Sequence, residues 1–245
     1  FDFSGNIYNF SINRKNLNWK FNFYKKRYKN LPIAKKLIIS GNNLIVADNI
    51  GYIYSINIET GKLNWAKNYG IPFKSNIKID NQNIIILNQD NKYYSIKTSD
   101  GVQNLSLETF PSFLKTKHGS NISLDTNKKN VYFITSNGEL YSLNYKQNII
   151  NWISTIAQGS TSQKSDLFYS SPIIFANNKI IFSTSSSSYL IDSSTGIKNW
   201  EIPFASYLRP VYTKNNILFA SKDGFLINAD IKTGKIIWSK DLFKN

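Results

Sequence analysis

Short apolar runs recur along the chain, each bounded by polar turn-formers: LIVA (Leu44–Ala47), IIIL (Ile84–Leu87), VYFI (Val131–Ile134), KIIFS (Lys179–Ser183) and ILFA (Ile217–Ala220). They are β-branched or aromatic and too short for helices, so each predicts a strand. Their apolar residues stand at successive positions, not alternate ones. Both faces of these strands are therefore expected to be covered. Seven residues after each run begins, a second pattern opens. Its clearest copy is GYIYSINIETGKLNW, Gly51–Trp65: a strand, a turn at Thr60-Gly61, and a second strand that reaches a tryptophan. No helix signal is present.

The hairpin repeats. Its opening residues are Gly5, Gly51, Asn91, Gly138, Ser186 and Gly224, separated by 46, 40, 47, 48 and 38 residues. Fourteen residues after each opener stands Trp19, Trp65, Leu105, Trp152, Trp200 or Trp238, which uses all five tryptophans. Turns at Thr60-Gly61, Asp100-Gly101, Thr195-Gly196 and Thr233-Gly234 supply backbone suited to positive φ. Another strand is expected before each inner run, several announced by Pro32, Pro72, Pro172 and Pro210 as first strand residues.

A period of 38 to 48 residues with four strands per unit is that of a β-propeller blade. The fold class is thus all-β: five full blades of strands A to D, preceded by strands C and D of another. The expected boundaries are 1–23 (partial), 31–70, 71–108, 111–155, 170–204 and 207–243, in one domain. A propeller protects its edges by closing into a ring. A longer native chain is therefore expected, with strands missing at one or both ends.

Composition narrows the chemistry. There is no cysteine, hence no disulfide, thiolate metal site or cysteine nucleophile. No apolar run approaches the roughly 18 residues of a membrane span. The fifteen acidic residues stand mostly in turns, with no convergent spacing for a calcium site. His118 is the lone histidine, with no obvious carboxylate or nucleophile beside it. No phosphate loop or nucleophile elbow is present. No metal or cofactor is expected, and the chain reads as a non-enzyme. The net charge of +15 has two readings: attraction to an acidic partner, nucleic acid or anionic membrane, or a composition rich in Lys, Asn and Ile that needs no partner.

The pattern Gly-x-Ile-Tyr-Ser-Ile-x-x-x-Thr-Gly-Lys-x-x-Trp at 51–65 resembles the repeat of pyrroloquinoline-quinone-type propellers, and recurs at Gly224–Trp238 and Gly138–Trp152. The resemblance implies that Trp19, Trp65, Trp152, Trp200 and Trp238 dock blade against blade. Two connections, ETFPSFLKTKHGSN (Glu108–Asn121) and AQGSTSQKSDLFYSSPIIF (Ala157–Phe175), are similar to segments of the BamB family of outer-membrane assembly lipoproteins. In that family the first carries Leu-x-Leu-Arg, where this chain has Phe113-Leu114-Lys115. The second carries Gly-Ser-Thr, then Ser-Asp-x-Asp. This chain matches Gly159-Ser160-Thr161 and Ser165-Asp166, with Phe168 and Tyr169 at the second acidic position. The resemblance implies an eight-bladed periplasmic scaffold, lipid-anchored at the outer membrane. It would bind the periplasmic domains of a BamA-type barrel assembly protein through Phe113, Leu114, Lys115 and Asp166. Unfolded outer-membrane proteins, added as extra strands, are a further implied partner.

Strand order supports one rim independently. With antiparallel strands, every D-to-A connection and B-to-C turn falls on the same rim. Long loops on a rigid scaffold are where binding concentrates. Structural readings stay open beside the functional ones. Phe113 and Leu114 can plug a seam between blades, and Asp166 can cap a turn. The basic, tyrosine-flanked run Tyr24–Asn30 suits single-stranded nucleic acid, an anionic membrane or plain solvation. Two other classes remain: a quinoprotein-type dehydrogenase or degenerate relative of one, and a basic nucleic-acid-binding propeller.

Overall fold

The computed structural model describes residues 1–24, 28, 31–110, 121–156 and 168–244. Among these there is no α-helix; antiparallel strands fall into six sheets, and the architecture is that of a β-propeller with four-stranded blades. The chain divides into two compact units, 1–111 and 112–245.

The first unit opens with the hairpin β1 (Asn6–Ser11) and β2 (Asn16–Asn22). Two full blades follow: β3 (Lys35–Ser40), β4 (Asn43–Asp48), β5 (Tyr52–Asn57) and β6 (Leu63–Asn68), then β7 (Lys78–Asp80), β8 (Asn83–Leu87), β9 (Tyr93–Lys97) and β10 (Gln103–Leu107). The second unit holds three blades. They are β11 (Ile122–Asp125), β12 (Asn130–Ile134), β13 (Glu139–Asn144) and β14 (Ile149–Thr155); β15 (Ile174–Ala176), β16 (Lys179–Ser183), β17 (Ser188–Asp192) and β18 (Lys198–Ile202); and β19 (Val211–Tyr212), β20 (Asn216–Ala220), β21 (Phe225–Asp230) and β22 (Ile236–Asp241).

The unbroken apolar runs have the two-sided burial they predict. On β4, Leu44 and Val46 pack with Ile7 and Trp19 of the preceding hairpin, while Ile45 and Ala47 pack with Ile84 and Ile86 of the following blade. In the second unit, Ile180 and Phe182 face Tyr132 and Ile134, while Ile181 faces Ile217 and Phe219. Each such aliphatic side chain contributes roughly 1.5–3 kcal/mol by leaving water. The prolines differ from expectation. The A strands begin at Lys35, Lys78, Ile174 and Val211, so Pro32, Pro72, Pro172 and Pro210 stand before them. Outside the ladder, a missing N–H removes no inter-strand bond.

The fourteen-residue interval is a register. In every C–D hairpin the residue four after the opener pairs with the residue fourteen after it: Asn9 with Trp19, Ser55 with Trp65, Ser95 with Leu105, Ser142 with Trp152, Leu190 with Trp200 and Asn228 with Trp238. A bulge follows at that point in each pair, increasing local twist. The indole N–H then donates across the seam to the carbonyl that opens the next C–D turn. Trp19 reaches Ile58 at 2.8 Å, Trp65 reaches Thr98 at 2.9 Å, Trp152 reaches Ser193 at 3.1 Å and Trp200 reaches Ile231 at 2.9 Å. The ring lies over the glycine of that turn. A Cβ on Gly101, whose φ is +70°, would stand 2.4 Å from the Trp65 ring. Only glycine combines this backbone with the missing side chain. Trp238 follows the same register and is 43% exposed.

Candidate functional site

In each unit the B–C turns are built on a repeated cap. The residue closing strand B turns its side chain back onto the B–C turn. Asp48 Oδ1 accepts from the N–H groups of Ile50 (3.0 Å) and Tyr52 (2.8 Å). Asn88 Oδ1 does the same for Asp90 and Lys92, both at 2.9 Å. Thr135, Thr184 and Ser221 use hydroxyl oxygens on Glu139, Ser187 and Phe225. Asp2 caps Asn6 likewise, and its hydrogen bond from the Asn6 side chain helps lower its carboxyl to about 2. These acidic side chains are occupied with backbone, and a turn so capped is rigid.

In the first unit the cap carries a buried cluster. Phe23 stacks on Tyr54 with centroids 4.6 Å apart, and the Tyr24 hydroxyl donates to Asp48 Oδ2 at 2.7 Å. Asp48 pairs across the strands with Lys35, and both are buried. The Lys35 ammonium donates to the carbonyls of Asp2 (2.7 Å) and Ile33 (3.1 Å) and lies 5.0 Å from the Phe1 ring centroid. Burial pushes the Asp48 carboxyl up and the Lys35 ammonium down, each resisted by neighbouring partners. Burial likewise pushes the Tyr24 phenol up, reinforced by Tyr54 and Asp48. Every polar group here is covered and engaged, so the cluster fastens the chain after β2 onto the next blade. Sequence reading missed it: Asp48 is one of fifteen acidic residues that stand mostly in turns, and nothing in the sequence joins it to Lys35.

The predicted partner contacts Phe113, Leu114, Lys115 and Asp166 lie outside the described residues, as do His118 and all of Tyr24–Asn30 except Tyr24 and Tyr28. The flanks of those connections are described. Glu108 pairs with Lys92 at 2.9 Å, Thr109 donates to the Asn91 carbonyl, and Phe110 is exposed. Asn121 donates to the Ser170 carbonyl at 3.5 Å. Phe168 packs on the core between the first two blades of the second unit. The Tyr169 hydroxyl donates to the Tyr207 carbonyl at 3.1 Å, and the two rings meet edge-to-face with centroids 4.8 Å apart. Two D–A connections are thereby joined, one of which, around Tyr207, sequence analysis did not single out. Among the described residues, no group of three or more His, Asp or Glu side chains is arranged to hold a metal ion.

Comparison with known proteins gives a family match over residues 4–240, to the model described as outer membrane protein assembly factor BamB. No curated protein matches. Among solved structures, BamB from Moraxella catarrhalis is similar with a TM-score of 0.79 at 13% identity, over 98% of this chain and 71% of that one. A computationally designed protein, Ika8, gives 0.65 at 14% identity, over 86% and 62%. The quinohemoprotein alcohol dehydrogenase of Comamonas testosteroni gives 0.66 at 13% identity, over 84% and 42%. At these identities the structural likeness is one of fold.

Proposed function

The chain belongs to the outer membrane protein assembly factor BamB family, and from that premise we propose that it is a non-catalytic periplasmic scaffold of outer-membrane barrel assembly. It holds the periplasmic domains of a BamA-type protein against the rim of D–A connections, with Phe113, Leu114 and Lys115 supplying an apolar and cationic contact and Asp166 an acidic one. The family match over residues 4–240 carries this reading. The occupied side chains add support. Trp19, Trp65, Trp152 and Trp200 each bond the next blade, and the cap carboxylates Asp2 and Asp48 bond backbone. Lysine in place of the family's arginine makes the cationic contact a point charge instead of a fork.

Pull-down with the periplasmic domains of a BamA-type protein tests the reading. Binding is expected, and Leu114→Asp with Lys115→Glu should abolish it. Undiminished binding by that variant removes those residues from the interface.

The likeness to a quinohemoprotein alcohol dehydrogenase favours one competing reading, a quinone-binding enzyme. Titration with pyrroloquinoline quinone and Ca²⁺, followed by absorbance, separates the two. Saturable binding would displace the scaffold reading.

A further inference from the structure

The last connection of the second unit matches one in the first unit in length and differs from it in burial. In three blades a buried serine after the D strand bonds the end of strand B. Ser75 Oγ accepts from the Leu87 N–H at 2.8 Å, Ser171 Oγ accepts from the Ser183 N–H at 2.9 Å, and Ser206 Oγ donates to the Ala220 carbonyl at 2.7 Å. The bridges that mark equivalent positions are Phe73 with Asn88, Ser170 with Thr184 and Ser206 with Ser221, and from them to the first residue of strand A is five positions to Lys78, four to Ile174 and five to Val211. After Phe73 stand Lys74, Ser75 and Asn76, buried or half-buried; after Ser206 stand Tyr207-Leu208-Arg209, all exposed, ahead of the buried Pro210. Tyr207 is 47% and Leu208 64% exposed, and Arg209 is exposed as well.

Exposure of this kind in a mobile loop would mean little. Here the main chain is fixed on both sides. Ser206 pairs with Ser221, and its hydroxyl also reaches the Leu208 carbonyl at 3.3 Å. Lys222 N–H donates to the Ala205 carbonyl at 3.0 Å. The Tyr169 hydroxyl holds the Tyr207 carbonyl, and its ring packs against the Tyr207 ring. Among the described residues Arg209 makes no ion pair or hydrogen bond. A tyrosine, an apolar side chain and an unengaged guanidinium are therefore presented together on ordered backbone. Aromatic and arginine side chains dominate binding hot spots, and ordered backbone loses little entropy on association.

We infer that Tyr207-Leu208-Arg209 is a protein-docking element, whose partner surface places a carboxylate beside an apolar recess. The guanidinium takes the carboxylate as a two-pronged pair, while Leu208 and the Tyr207 ring enter the recess. A chain of net charge +15 complements such an acidic surface. The inference rests on the scaffold reading above: it adds a second contact on the same rim, joined through Tyr169 to the connection that carries Asp166.

The test measures dissociation constants of the full chain for the periplasmic domains of the barrel assembly protein, at two salt concentrations. Leu208→Asp with Arg209→Glu should weaken binding about thirtyfold, as loss of a hot spot does, and reduce its salt dependence. Arg209→Glu alone serves if the double variant melts early. If the wild type binds and Leu114→Asp with Lys115→Glu abolishes binding while both position-209 variants stay within twofold of wild type, the inference is overturned and the scaffold reading survives. If the wild type does not bind, both fall. If Arg209→Glu instead loses affinity only for vesicles containing anionic lipid, the element is a membrane contact and the inference is wrong.

Discussion

The last two blades meet through two regions built on contrary terms. Toward the C–D turn, Trp200 is 9% exposed, its indole N–H bonded to Ile231 and its ring laid over Gly234. Toward the D–A connection, Tyr207, Leu208 and Arg209 stand exposed where the equivalent Lys74, Ser75 and Asn76 of the first unit are buried or half-buried. The first region is a copy of three other seams, with every group answered inside the fold. The second is matched in length but not in exposure, and while the Tyr207 ring packs on Tyr169, Leu208 and Arg209 stand out in solvent. The repeated seam holds the blades together, and the exposed side chains at the other end are the ones left to meet another molecule.

The contrast is open to measurement. Trp200→Ala empties a filled seam and should cost about 3–5 kcal/mol, read from urea unfolding. Trp238→Ala removes the same residue from the same register at 43% exposure and should cost about 1 kcal/mol or less. Equal losses would show that register matters and the glycine socket does not.

A smaller effect lies at the turn preceding Trp200. The Asp192 carboxyl accepts from the Ser194 hydroxyl and N–H and from Lys179 at 2.9 Å, which hold it well below the usual carboxylate range, the Ser194 hydroxyl foremost. A depressed folded-state pKa means this stabilisation is present above the unfolded value of about 4 and is lost as pH falls below it. Asp192→Asn should therefore flatten the acid limb of the stability profile and cost about 1 kcal/mol at neutral pH. An unchanged acid limb would remove this carboxylate from the account.

Smallest of all, Leu208→Asp with Arg209→Glu should leave stability within about 0.5 kcal/mol, because neither side chain is packed. A loss comparable to that of Trp200→Ala would turn the exposed segment into another seam.

Much of the fold was legible. Two-sided burial showed in the runs at Leu44–Ala47 and Ile84–Leu87, because strands covered on both faces lose alternation. The tryptophan interval was legible because it is a pairing register, fixed by local turn chemistry. What the tryptophans bond was not, since a carbonyl 31 to 41 residues away leaves no mark in composition. The pairing of Lys35 with Asp48 was hidden for a related reason: each residue alone suits solvent, and only the register of β3 with β4 buries both. The Tyr207–Arg209 segment did leave a signal. An aromatic, an apolar and a basic residue stand there where the first unit has Lys74, Ser75 and Asn76. It escaped notice beside longer connections such as Ser154–Pro172.

Ser206 carries one last consequence. Because its hydroxyl ties the end of β20 directly, the geometry of that sheet is settled before the chain reaches Tyr207, and Pro210 resets it afterwards. Of the three positions between, Tyr207 is packed on Tyr169, and Leu208 and Arg209 are the two whose side chains the blade does not use. Those two could be rewritten without disturbing the blade, and a lineage seeking new associations could change them at little risk to folding.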